Sequence, residues 1–176
     1  INYVLIVSTN AGLWAYNTGD TVMFTSVAPP KLLVTGRYKH FISAFGEHVI
    51  ASEVEQGLSE ATKKFNVSVS EFTVAPKIGN GNRLPCHEWF IEFEELEIDI
   101  KEFEKFLDAK IQEKNVYYKD LIKGKVLKTL EVKKLAKGTF IRSMKSIGKL
   151  GGQNKVPRLS NNRDFVDGLL KNNSTF

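Results

Sequence analysis

The chain has 176 residues, 42% of them hydrophobic and 26% charged, with a formal net charge of +5. That is enough for one ordinary domain, or one domain plus a piece of a neighbour, and too apolar for a disordered tail. A single cysteine, Cys86, excludes a disulfide framework and a multi-thiolate metal site and fits a reducing cytoplasm, and no apolar run approaches the ~18 residues of a membrane span.

The chain begins at Ile1 within strand-like sequence, with no initiator Met and no basic-then-apolar leader, so a piece cut from something longer is expected. Residues 2–9 hold the continuous apolar run Tyr3 to Val7 and read as a strand. Turn signals follow at Asn10-Ala11-Gly12 and again at Tyr16-Asn17-Thr18-Gly19-Asp20. Residues 21–26 and 31–35 read as strands separated by Pro29-Pro30. Strands this short without a helix cannot make a core alone, so they are expected to belong to a larger sheet.

After Gly36-Arg37 the character changes. Residues 41–45 predict a strand, and Gly46 permits a bend. Ser52 as N-cap with Glu55 three residues on predicts a helix over 53–65, with Val54, Leu58, Ala61 and Phe65 on one face. Residues 67–77 and 87–93 predict an antiparallel pair across the Gly79-Asn80-Gly81-Asn82 turn. An amphipathic helix is expected over 100–112, a short helix or loop at 117–124, and a strand at 126–135. Residues 139–147 read as a helix, 148–160 as an ordered loop and 164–171 as a last short helix. The class is α+β: a small mixed or antiparallel sheet packed with helices, preceded by a few strands left from a larger N-terminal domain.

Charge is uneven. Residues 86–115 carry net −6 and residues 121–160 net +10. Such a basic block could face nucleic acid, a nucleotide's phosphates, or only water. A basic α+β module that binds nucleic acid without catalysis is therefore an alternative to an enzyme.

Three groups of residues could carry chemistry. In the Tyr16–Asp20 pentamer, the carboxylate of Asp20 could bind two adjacent hydroxyls with paired hydrogen bonds, or merely cap a hairpin turn. Arg37 offers a permanently charged donor fork suited to a sugar hydroxyl or phosphate, or to a surface salt bridge. Between Gly148 and Arg158, three glycines accompany Lys149, Lys155 and Arg158, which suits close backbone approach to an anion or a mobile exposed loop. His40, His48 and His87 lack metal-ligand spacing, and no metal site is expected. The glutamates from Glu92 to Glu97 read as a solvated strand end, and Trp89, Phe90, Tyr117 and Tyr118 as packing residues.

Taken in order, the Tyr16–Asp20 turn, Gly36-Arg37-Tyr38-Lys39, the run from Ile42 to Val49 and Glu53-Val54-Glu55 resemble the late core motifs of the adenylate-forming superfamily. More closely, residues 10–20, 40–55 and 151–158 resemble the Gretchen Hagen auxin-responsive family of acyl-acid amido synthetases, in its bacterial branch, over about residues 3–163. The resemblance implies that residues 1–36 end a truncated N-terminal adenylation domain and that residues 37–176 form a mobile C-terminal lid. It implies a cytoplasmic ligase using ATP and Mg2+, bound mainly through the rest of the enzyme, with a carboxylic acid substrate and an amine or amino acid acceptor. Its own N-terminal domain would be the partner, with neither nucleic acid nor membrane. Tyr16, Asp20 and Arg37 would lie at the nucleotide, with Asp20 on the ribose hydroxyls and Arg37 as a second ribose contact. Lys39 would be the hinge, and Phe45-Gly46 the loop that enters the site for the second half-reaction. Lys155 would stabilise phosphate charge during adenylation, with Lys149 as second choice. Ser43 stands where some superfamily members carry a lysine, which fits amide formation better than thioester or luciferase chemistry. The early phosphate-binding loop of the superfamily is absent, so this piece alone is expected to be inactive.

Overall fold

The computed structural model describes residues 2–37, 41–81, 83–95, 97–151 and 154–173. Three strands, β1 (Tyr3–Val7), β2 (Tyr16–Val27) and β3 (Pro30–Arg37), form an antiparallel sheet in the order β1-β2-β3. Val22 is buried there, whereas Tyr3, Phe24, Leu32, Leu33 and Val34 are exposed. As expected of three short strands, this sheet builds no core of its own.

The predicted strand at 41–45 is instead a short hairpin, β4 (Phe41–Ile42) paired with β5 (Val49–Ile50). Gly46 at φ +94° and His48 at φ +47° reverse the chain within a few residues, leaving room for only two pairs. Helix α1 (Ala51–Phe65) follows directly. It starts two residues before the predicted position, because Ile50, and not Ser52, is its N-cap. Glu53, rather than Glu55, reaches back to accept the Ile50 N–H at 3.0 Å. Asn66 ends the helix in the left-handed conformation.

The second three-stranded sheet is mixed. Strand β6 (Val69–Lys77) pairs antiparallel with β7 (Cys86–Phe93), as predicted, and β8 (Glu131–Leu135) joins parallel to β7 in the order β6-β7-β8. Strand β8 is shorter than the expected 126–135. Lys125 at φ +54° and the hydrogen bonds of the 124–128 backbone to 85 and 120–122 hold the preceding residues as a turn. Helix α2 (Ile100–Lys114) is capped by Asp99, which accepts the Lys101 and Glu102 N–H groups. Helix α3 (Val116–Lys123) resolves the helix-or-loop alternative, with Asn115 accepting the Tyr118 N–H at its start. Helices α4 (Thr139–Ser146) and α5 (Asp164–Asn173) complete the chain.

Side-chain alternation along β6 and β7 divides the interior into two layers. Phe72, Val74, Trp89, Ile91 and Phe93 pack on Val54, Leu58 and Ala61 of α1 and Phe103, Leu107 and Ile111 of α2. Ala75 and Phe90 meet Phe140 of α4 and Val166 and Leu169 of α5 on the opposite face. Tyr118 is buried, its hydroxyl donating to Asp108 at 2.7 Å, as a packing residue should be, whereas Tyr117, also expected to pack, lies on the outer face of α3 and is exposed.

Candidate functional site

The Tyr16–Asp20 segment is a bulge within β2 and not the chain-reversing turn expected. Val4 pairs with Thr21 and Ile6 with Asn17, so Thr18, Gly19 and Asp20 stand opposite Leu5 alone. Gly19 takes φ +79°, which a bulge of this kind requires, and its N–H donates to Asn17 Oδ1 at 2.9 Å. Thr18 ties the bulge down, its hydroxyl donating to the Leu5 carbonyl at 3.1 Å and accepting the Asp20 N–H at 3.2 Å. Half-buried Asp20 is then the cross-strand partner of Arg37 in the β2–β3 register. Two residues 17 positions apart in the chain thus become neighbours at one end of the sheet. Tyr16, exposed, pairs with Val7 beyond the bulge.

Phe45 and Gly46 sit at the tip of the β4–β5 hairpin, with Phe45 packed against the larger core layer and Gly46 exposed. Lys39 lies outside the described residues. The Phe45 N–H donates to Glu47 Oε2 at 2.8 Å, and Glu47 Oε1 lies 2.8 Å from His87 Nε2. Burial raises the Glu47 carboxyl, but the hydrogen bond and charge of His87, with the backbone N–H groups, more than offset it and leave it below the ordinary value. Reading the sequence did not single out Glu47. Its only signal is a charged residue inside an otherwise apolar and small-residue run.

The lysine-bearing loop hangs between α4 and α5. Helix α4 ends in a Schellman motif, with the Gly148 N–H on the Lys145 carbonyl at 3.0 Å and the Lys149 N–H on the Met144 carbonyl at 2.8 Å. Gly148 at φ +67° supplies the left-handed residue that this motif needs. The Gly148-Lys149 pair is therefore first of all a helix stop. The far end of the loop is pinned to the edge of β6. Thr73 donates to the Pro157 carbonyl at 2.6 Å, Val74 N–H to the Arg158 carbonyl, and Ser160 N–H to the Val74 carbonyl. Arg158 pairs with Glu71, donates to the Phe72 carbonyl at 3.3 Å and stacks 4.6 Å from the Phe72 ring centre.

Lys149 and Lys155 both line one cleft of about 1070 Å³, together with Phe140, Ile141 and Met144 of α4. Its acidic side is Glu55, Glu71 and Glu92. Glu92 corrects the expectation of a solvated strand end. It is buried, and its carboxylate accepts the N–H groups of Gly138 and Phe140 at the start of α4. Helix α4 has no side-chain cap of its own, and Glu92 supplies the acceptor from the neighbouring strand. Among the described residues no group of three or more His, Cys, Asp or Glu side chains could hold a metal ion.

The structure therefore brings Asp20 beside Arg37, places Lys149 and Lys155 on one cleft, and sets Phe45-Gly46 on a separate hairpin. The two families of contacts meet at Asn161, which follows the lysine loop and bonds the hairpin through the Phe41 carbonyl at 2.9 Å and the Ser43 N–H at 2.8 Å.

Comparison with known proteins places these elements. Residues 52–164 match the model of the GH3 family C-terminal domain, and residues 1–37 match that of the GH3 family central domain. No curated protein sequence matches significantly. A solved structure of a "GH3.15 acyl acid amido synthetase" superposes with a TM-score of 0.76 at 21% identity, covering 97% of this chain and 34% of the other. A structure titled "AtGH3.15 acyl acid amido synthetase in complex with 2,4-DB" gives 0.75 at 21% identity, covering 97% and 32%. These likenesses establish a shared fold, and the chain spans about a third of the length of either structure. With well over half of its residues matched by a single family model, the chain belongs to the GH3 family.

Proposed function

We propose that this chain is the C-terminal part of an ATP-dependent ligase that adenylates a carboxylic acid and transfers the acyl group to an amine, as in amino acid conjugation. Residues 1–36 are read as the end of the adenylation domain and residues 37–176 as its mobile lid, in a bacterial member of the family. The observation that carries this reading is the cross-strand pairing of Asp20 with Arg37, immediately before the change of domain. A carboxylate residue on a bulge, with an arginine at the paired position of the adjoining strand, suits the two hydroxyls of a ribose. The titles of the structures with this fold support the same chemistry.

In the first step the acid's carboxylate oxygen attacks the α-phosphorus of ATP, and the bond to pyrophosphate breaks. Negative charge grows on the phosphate oxygens, and Lys155, on an otherwise exposed arm of the cleft, is the ammonium proposed to meet it when the lid closes. In the second step the amine nitrogen bonds to the acyl carbon, the carbon–oxygen bond to AMP breaks, and the nitrogen releases a proton to solvent. The Phe45-Gly46 tip is the proposed element presented for that step, with Lys39 as the hinge between the two orientations. Magnesium would supply charge neutralisation of the triphosphate. The described residues offer no cage for it, and its ligands are assigned to the rest of the enzyme.

In the basic block on which the alternative of a nucleic-acid-binding module rests, Lys128 pairs with Glu131, Lys137 with Glu94 and Arg158 with Glu71, which lowers the charge that block presents. No helix among the described residues is long and apolar enough to cross a membrane, and a cytoplasmic enzyme is proposed. The test is ATP–pyrophosphate exchange by the full-length enzyme across a panel of carboxylic acids. Lys155→Ala should lose roughly two orders of magnitude, about 3 kcal/mol of transition-state stabilisation. Lys149→Ala, at a solvated helix end, should change the rate by less than about tenfold. The reverse order would move the role to Lys149, and two silent variants would remove this loop from adenylation.

A further inference from the structure

We propose that Glu47 is a positioning residue for acyl transfer, its buried carboxylate joining the backbone of Phe45 to His87 and so fixing the hairpin tip. The inference rests on the reading of that tip as the element presented in the second half-reaction. Glu47 is 0% exposed and His87 1%. A buried carboxylate–imidazole pair is a poor device for stability, because taking both groups out of water costs about as much as their attraction returns. What the pair does provide is a fixed geometry. One carboxylate oxygen bonds His87 on β7, the central strand of the sheet, and the other bonds the Phe45 N–H on a hairpin with only two strand pairs of its own.

His87 is itself held. Its ring stacks on Tyr118 with centres 5.1 Å apart, and the Tyr118 hydroxyl is anchored on Asp108. Two left-handed residues flank Glu47, Gly46 at +94° and His48 at +47°. A non-glycine residue stays in that conformation only where its surroundings over-determine it. Here Asn115 donates to the His48 carbonyl at 3.3 Å, and the His48 ring stacks on Phe41 at 4.5 Å. Asn161 holds the start of the hairpin at Phe41 and Ser43. Glu47 is the side chain that holds the tip itself at Phe45. The hairpin is therefore set as a rigid probe, and the Glu47 carboxylate decides where its end points.

The experiment compares three variants of the full-length enzyme. Glu47→Met fills similar volume but has no acceptor for the Phe45 N–H. Glu47→Gln can accept that N–H with its oxygen and donate its amide to His87 Nε2. Gly46→Ala adds a methyl where nothing lies within 4 Å and perturbs the tip directly. Adenylation is read by ATP–pyrophosphate exchange, transfer by single-turnover reaction of a supplied acyl-adenylate with amine, and tip order by amide exchange at Phe45. Glu47→Met should leave adenylation within about threefold, slow transfer on the order of twentyfold or more, and speed Phe45 amide exchange at least tenfold. Glu47→Gln should restore transfer to within about fivefold. Normal transfer in Glu47→Met beside slow transfer in Gly46→Ala would overturn the role of Glu47 alone. Normal transfer in both would overturn the role of the tip, and the inference with it. Equal losses in adenylation and transfer, with Gln no better than Met, would make Glu47 a folding residue and refute the proposal.

Discussion

Glu92 lines the same cleft as both candidate lysines, so it could be mistaken for an acid or base of the reaction; the structure assigns its two oxygens to α4 instead. Glu92→Gln tests this. The substitution keeps the shape and one acceptor oxygen, but turns an NH2 group toward a backbone donor and removes the charge at the helix N-terminus. Losing one hydrogen bond to a charged group costs about 1.5–3 kcal/mol. Losing the anion beside the helix terminus adds up to about 1 kcal/mol. The sum of about 2–4 kcal/mol corresponds, for a chain of this size, to a Tm lower by roughly 5–12 °C. Thermal and urea unfolding followed by the fluorescence of fully buried Trp89 measures it, with Glu97→Gln as the exposed control that should leave the midpoint unchanged. Transition midpoints for Glu92→Gln matching the parent chain would refute the capping argument. Under the same reasoning, adenylation per folded molecule of full-length Glu92→Gln stays near normal.

Two further expectations concern the end of the mixed sheet. Partial burial raises the Glu131 carboxyl, but hydrogen bonds and charge from Lys128 and Lys77 pull it down to about 2. Its folded value lies below the ordinary ~4.3, so its contribution to stability is full above about pH 4.5 and is lost as pH falls toward 2. Tm measured from pH 6 to pH 2 should therefore fall less steeply below pH 4.5 in Glu131→Gln than in the parent chain, and parallel curves would contradict the pairing. Cys86 is buried, and burial followed by the Glu131 carboxylate pushes its thiol up to about 11. At pH 8 only about one molecule in a thousand would carry a thiolate, so an aromatic disulfide reagent should label it at the rate of unfolding; fast labelling of the folded chain would show that the cysteine is reachable.

What could be read before the structure depended on whether the signal was local. The α1 and α2 stripes are periodic, and their core residues Val54, Leu58, Phe103 and Ile111 fall where the pattern puts them. The β6–β7 pair has a glycine-rich turn and alternating apolar residues, and it too was legible. The 41–50 hairpin was not, because Phe41, Ile42, Phe45 and Val49 look alike as letters while two left-handed residues between them break the strand. The site divides in the same way. Lys149 and Lys155 were visible as charges among glycines, and the cleft they share depends on a helix end and on β6, both distant in sequence. Asp20 and Arg37 stood out singly, but their adjacency follows from a bulge that shifts the register. Glu47 and Glu92 were illegible because each serves a partner about 40 or more positions away, and a lone glutamate carries no mark of burial.

The two faces of the mixed sheet are unequal, and that inequality bears on how the molecule breathes. Among the described residues eighteen buried side chains form the layer with α1, α2 and α3, against six on the side of α4 and α5. Opening free energy scales with the apolar surface that must be exposed, so the α4–α5 layer can detach while the larger layer stays closed. Lys149 and Lys155 lie between those two helices in the chain, and the stretch after Lys155 is tethered by the Arg158–Glu71 and Thr73–Pro157 contacts. The Phe45-Gly46 tip is fastened instead to the stiffer side, through His87 and Asn115. One body thus carries Lys149 and Lys155 beside its thinner layer and the Phe45-Gly46 tip on its thicker one, so under the proposed function the residues meant for the nucleotide sit on the face that opens more readily and those meant for the transfer step on the face that opens less.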